Sequence, residues 1–150
     1  MWFEITLERY TFTPQVFSHK PVNCMKFFID RQEKYCLLAL LEEKLNSLNA
    51  TQFKTELVTL HAEGVRNMIL DLSKVNFVDS SGLSSLLVGN RVCKQANGTF
   101  VIAGANDNVM KLIKISQLDS ILQIVPTPSE AIDLVLMDEV EREINDESND

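Results

Sequence analysis

From Lys26 onward the chain alternates short, apolar, β-prone runs with longer stretches of helical period, and few architectures accept that alternation. KFFID and YCLLALL are separated by the polar turn RQEK and read as a hairpin. In LNATQFKTELVTLHAEG, Ala50, Phe53, Leu57 and Leu60 recur at helical spacing. Asn49 or Thr51 is placed to cap that helix, and Gly64 to stop it. NMILDL reads as a buried central strand, and Leu83, Leu86, Leu87 and Asn90 then fall on one helical face. Asn97-Gly98 marks a turn before TFVIAG, a second buried strand. Val109, Leu112 and Ile113 share a face of a third helix. QIVP is an edge-like strand ended by Pro126, and Pro128-Ser129 open a last helix through Ala131, Ile132, Val135 and Leu136. The predicted order is β-β-α-β-α-β-α-β-α, an α/β fold with a mixed central sheet and helices packed against it.

Composition narrows the use of such a fold. Of 150 residues, 45 % are hydrophobic, enough to build the core of one domain. No apolar run reaches the roughly 20 residues that cross a bilayer, and the N-terminus lacks the basic-then-apolar pattern of a secretory signal. Cys24, Cys36 and Cys93 are scattered and odd in number, which argues for a reducing compartment and predicts a cytoplasmic protein. Cys36, in a strand-like run, is expected in the core. The net charge of -7 disfavours nucleic acid as a partner. Much of the excess lies in DEVEREINDESND, residues 138–150, expected to be a solvated helix end or a frayed tail. Residues 1–24, interrupted by Pro14 and Pro21, carry no clean period and are expected to be a poorly ordered arm, with Met25 as an alternative start. The domain is then expected over residues 25–137, with no internal repeat.

Catalysis finds little support. His19 lies in the doubtful arm, and His61 sits near a helix end, where an exposed histidine is ordinary. No partner acid, nucleophile or metal-ligand spacing accompanies either one, and no Cys/His cluster suggests zinc. No GxxxxGK[ST] loop is present, so no cofactor, metal or catalytic set is expected. What stands out is Asp79-Ser80-Ser81-Gly82 at a strand-to-helix corner. In its plain reading this starts a helix, with Asp or Ser as cap and Gly82 permitting a tight corner. In its functional reading a hydroxyl is held where a partner can modify it. A helix N-terminus tolerates the added phosphate, whose roughly two negative charges would alter a close interface.

The run MILDLSKVNFVDSSGLSSLL resembles the signature of the STAS domain, specifically of the single-domain anti-sigma factor antagonists. That family places an L-D-L-S … V-x-F-[VIM]-D-S-S-G-L segment between a central strand and a helix, and the likeness extends over roughly Lys26 to Met137. The resemblance implies a STAS-like fold and a regulatory interaction protein, not an enzyme. It implies that Ser81 is the phosphorylated hydroxyl, that Asp79 shapes the corner, that Ser80 is a buried or capping neighbour, and that Gly82 keeps the approach open; Leu83 completes the partner-binding corner. Where the family shows a G-E-L-D-like acid, this chain has Asn46. The implied partners are an anti-sigma factor that is also a serine kinase using ATP and magnesium, and a phosphatase that reverses it. Binding of the unphosphorylated form would free a sigma factor. The same fold also serves as a docking subunit of membrane lipid transporters or signalling assemblies, without phosphorylation. A reading from another class, a response-regulator receiver using Asp71 with Glu42-Glu43, leaves the KVNFVDSSGL corner without a role and conflicts with the opening hairpin.

Overall fold

A computed structural model describes residues 26–148. The expectations for the 1–24 arm and for a start at Met25 lie outside the described residues. The hairpin forms as expected: β1 (Phe27–Arg31) pairs antiparallel with β2 (Cys36–Leu40). Its turn is closed by the Gln32 N–H donating to the Tyr35 carbonyl at 2.8 Å. Next come β3 (Lys44–Leu45), α1 (Ala50–Ala62), β4 (Met68–Asp71), β5 (Phe77–Val78) and α2 (Ser80–Gln95). They are followed by β6 (Phe100–Ala103), α3 (Asp107–Ile115), a 3-10 turn (Leu118–Ser120), β7 (Gln123–Val125) and α4 (Pro128–Ser148). The main sheet has five strands in the order β1-β2-β4-β6-β7, and all pairs after the hairpin are parallel. β7 is an edge strand, as QIVP suggested.

Two strands were not expected. β3 and β5 form a separate parallel pair, Lys44 against Phe77 and Leu45 against Val78. Two residues are too few for any period to show.

The period of two in the central strands divides their side chains between two helical layers. Met68, Leu70, Phe100 and Ile102 face Phe53, Leu57 and Leu60 of α1, Leu86, Val92 and Cys93 of α2, and Val109 and Ile113 of α3. Ile69, Val101 and Ala103 face the other way, against Ala131 and Val135 of α4. Each large side chain so buried contributes about 1.5–3 kcal/mol. Cys36 lies in this core as expected, beside Cys93. Burial pushes the Cys93 thiol up to about 12, so it packs as a neutral group and is no nucleophile.

The expected helix stop is seen at Gly64, which adopts φ +99°. There the Val65 N–H donates to Leu60 O and the Gly64 N–H to His61 O, both at 3.0 Å, a Schellman ending. The expected cap at Asn49 takes another form. Asn49 precedes α1, but its side chain caps no helical N–H. It reaches back instead, accepting from Asn46 N at 2.9 Å and donating to Lys44 O at 2.7 Å, and so folds the loop between β3 and α1.

The acidic residues after Met137 continue α4 without a break to Ser148. Glu139 is among the buried charged residues. Its carboxylate accepts from Arg66, from Asn67 Nδ2 at 2.8 Å and from Arg142 Nη1 at 3.2 Å. Asn67 Oδ1 accepts from Thr99 N at 2.9 Å, and Thr99 Oγ1 donates to Asp138 at 3.0 Å. This network ties α4 to the starts of β4 and β6.

Candidate functional site

The DSSG corner is assembled by β3 and β5. The Asn76 and Phe77 N–H groups donate to Glu43 O at 2.7 and 3.2 Å, and the Asp79 N–H donates to Leu45 O at 3.1 Å. Asp79 is then left extended (φ -97°, ψ -172°) as the N-cap of α2. Its Oδ1 accepts from Gly82 N at 2.9 Å, satisfying one of the helix's free donors. Its Oδ2 accepts from Ser47 N at 3.2 Å. One carboxylate therefore joins the helix start to the loop before α1.

Gly82 is buried, and a Cβ there would lie 2.4 Å from Leu45 O and 2.6 Å from Val78 Cγ1. The implied role of keeping the approach open is corrected: the room Gly82 leaves is filled from inside, and it lets α2 close on β3. The implied role of Ser80 is also corrected. Ser80 is exposed and is the first residue of α2, while the cap is Asp79. Ser81 is half-buried in the first turn, and its hydroxyl has no hydrogen-bond partner among the described residues. The buried hydroxyl of the segment is that of Ser85, which donates to Gly82 O at 2.5 Å. Leu83 is half-buried against the core.

Asn46 lies in the same loop as Ser47. Its Oδ1 accepts from Leu48 N at 3.0 Å, and its carbonyl accepts from Asn49 N and Ala50 N at 3.1 and 2.8 Å. The amide thus closes a local turn that a carboxylate oxygen would close equally well. Sequence reasoning missed Ser47, Leu48 and Phe77. Leu48, next to Ser47, is 68 % exposed and Phe77 is 46 % exposed, so the loop and the strand that build the corner each expose an apolar side chain. A lone leucine within NSLNA was a usable signal.

The chain's residues 30–131 match the family model described as the STAS domain. The chain belongs to the STAS domain family. A relative from Bordetella bronchiseptica, BtrV, named as a candidate anti-sigma factor antagonist, is 30 % identical over 100 residues, 67 % of this chain and 85 % of that one. The crystal structure of a candidate anti-sigma factor antagonist from Thermotoga maritima is 27 % identical, with a TM-score of 0.66 over 73 % of this STAS protein and 93 % of its counterpart. SpoIIAA of Bacillus, solved in its phosphorylated form, shares the fold at 22 % identity, with a TM-score of 0.58 over 73 % and 99 % of the two chains.

The STAS fold also disposes of the receiver reading. Asp71 ends β4, and its Oδ1 is engaged by Ser73 N at 2.9 Å and by the Ser73 hydroxyl. Glu42 accepts from the Lys26 N–H at 3.0 Å. Among the described residues no group of three or more His, Cys, Asp or Glu could hold a metal, and no helix is long and apolar enough to cross a membrane. His61 is half-buried where an exposed side chain was expected, and its Nδ1 has no hydrogen-bond partner among the described residues.

Proposed function

We propose that this protein is a non-enzymatic, phosphorylation-switched antagonist of an anti-sigma factor, with Ser81 as the switch. In its unmodified state the corner of Asp79, Ser80, Ser81 and Leu83, with Asn46 and the flanking Leu48 and Phe77, docks on a partner that is also a serine kinase. Docking releases a sigma factor. Ser81 Oγ then attacks the γ-phosphorus of the kinase's magnesium-bound ATP. The bond to the bridging oxygen breaks, ADP leaves, and the hydroxyl proton passes to a base of the kinase. The phosphoserine places roughly two negative charges at a close interface beside Asp79 and ends the complex. A phosphatase restores it. The cytoplasm, where ATP and sigma factors meet, is the compartment this reading requires.

The observation that carries the reading is the Ser81 hydroxyl, held in the first turn of α2 with no partner among the described residues, at a corner whose loop and strand each expose an apolar side chain. Phosphosite mapping of the protein from its own cells tests it. A phosphate on Ser81, absent in Ser81→Ala, is expected. No phosphate under growth or stress would overturn the switch. Asn46 favours a second reading, a docking subunit of a lipid transporter or signalling assembly in which the corner binds without modification. Under the first reading Asn46→Asp raises the rate of Ser81 phosphorylation; under the second it leaves partner affinity within about threefold, a shift below 1 kcal/mol.

A further inference from the structure

α4 has an apolar stripe on the side turned away from the sheet. Its inner face is Ala131, Val135 and Glu139. On the opposite side Leu136, Met137, Val140 and Ile144 are 37, 64, 53 and 56 % exposed. Their spacings of three and four place them side by side over roughly 12 Å of helix. The outward face of a surface helix is ordinarily polar, so four neighbouring apolar side chains there mark an interaction surface.

The charge around the stripe identifies the occupant. Arg142 is the only basic residue between Pro128 and Ser148. It is spent inward, on Glu139, Asn67 and Thr99. Asp138 and Glu143 are engaged by Thr99 and Lys34. Asp133, Glu141 and Glu147 border the stripe without an ion pair among the described residues. A second copy would set carboxylates against carboxylates, and an anionic lipid surface would be repelled. We propose that the outward face of α4 is a docking site for a partner protein's amphipathic helix, apolar along one stripe and flanked by lysine or arginine. The two helices would pack side by side, with the partner's cations over Asp133, Glu141 and Glu147. This surface is separate from the Ser81 corner and does not rest on the switch.

The test uses the full chain and two synthetic helical peptides of three heptads, with leucine at the apolar positions and either lysine or glutamate at the flanking ones, held below their self-association concentration. Amide shifts from the lysine peptide are expected at residues 133–147. The glutamate peptide should bind at least about tenfold more weakly, and Met137→Ser with Ile144→Ser should weaken the lysine peptide by about tenfold as well. Asp133→Asn with Glu141→Gln should weaken it about threefold and flatten its salt dependence. Equal affinity of the two peptides, shifts confined elsewhere, or no binding would overturn the proposal. So would a dimer of the chain that Ile144→Ser disrupts, since a second copy would then be the occupant. Binding that emerges only after deletion of residues 1–24 would overturn it too, because the chain would be covering its own stripe.

Discussion

Gly82 is where a single hydrogen atom in place of a methyl group decides the geometry. Leu45 O and Val78 leave no room for a Cβ, so Gly82→Ala should cost about 1–3 kcal/mol through strain in a packed site, read as a lower urea midpoint with an unchanged slope. Asp79→Ala should cost about 1–2 kcal/mol, because Gly82 N loses its acceptor, and Ser47 N loses one with it. The cap was legible in the sequence because it spans three residues. The bond to Ser47 was not, because 32 residues separate the partners. Glu139 was hidden more deeply: it sits in an acidic run that reads as solvated, and its partners Arg66 and Asn67 lie more than 70 residues away. Burial is the largest influence on its carboxyl and would raise its pKa. The hydrogen bonds from Asn67 and Arg66, with the charges of Arg66 and Arg142, outweigh burial and lower it below the reference 4.5. A carboxyl whose pKa is lowered on folding stabilises the fold above its unfolded value and loses that contribution as pH falls through the folded value. Stability from Glu139 is therefore fully present above about pH 4.5 and declines below it. Urea unfolding from pH 7 to pH 3 should show that decline, and Glu139→Gln should flatten it.

The elements divide into those that announce themselves and those that exist only in their pairing. β2, β4 and β6 are apolar runs, and α1 shows Ala50, Phe53, Leu57 and Leu60 at helical spacing, all four buried. These were legible because burial repeats at the period of the backbone. β3 and β5 each have two residues and were not legible, yet they aim the corner, since Asp79 follows directly from Val78. At α4 the expected solvated helix end is present, and Glu139 is the buried exception within it. The fall in hydropathy after Met137 resembles the end of a domain, whereas the helix continues for two further turns' worth of contacts, through Asp138, Glu139, Arg142 and Glu143. Truncation after Met137 tests which view governs stability. It leaves Asn67 and Thr99 short of partners and Arg66 without its carboxylate, so a loss of about 3–5 kcal/mol is expected in chemical unfolding. A loss below about 0.5 kcal/mol, the range of ordinary surface changes, would return residues 138–150 to the status of a solvated appendage.

At the scale of the whole molecule, the sheet separates two surfaces. The Ser81 corner belongs to the layer in which α1 and α2 pack on Met68, Leu70 and Phe100. The stripe of α4 lies outside the layer built on Ile69, Val101 and Ala103. Among the described residues no hydrogen bond or ion pair links Asp79, Ser80 or Ser81 to any residue of α4. Sites that share no partner respond independently, with coupling below about 0.5 kcal/mol. Ser81→Glu places an acid in the first turn of α2, where the helix N-terminus favours it, so the melting temperature should stay close to that of the unmodified chain. The same variant should leave the affinity of α4 for the lysine-flanked peptide within about twofold, measured by calorimetry on both proteins under identical salt. If it does, the chain can hold a partner on α4 while its corner binds and releases another, and phosphorylation changes one contact without ending both. A tenfold change would correspond to about 1.4 kcal/mol of coupling and would mean that the sheet transmits the state of Ser81 to its far side.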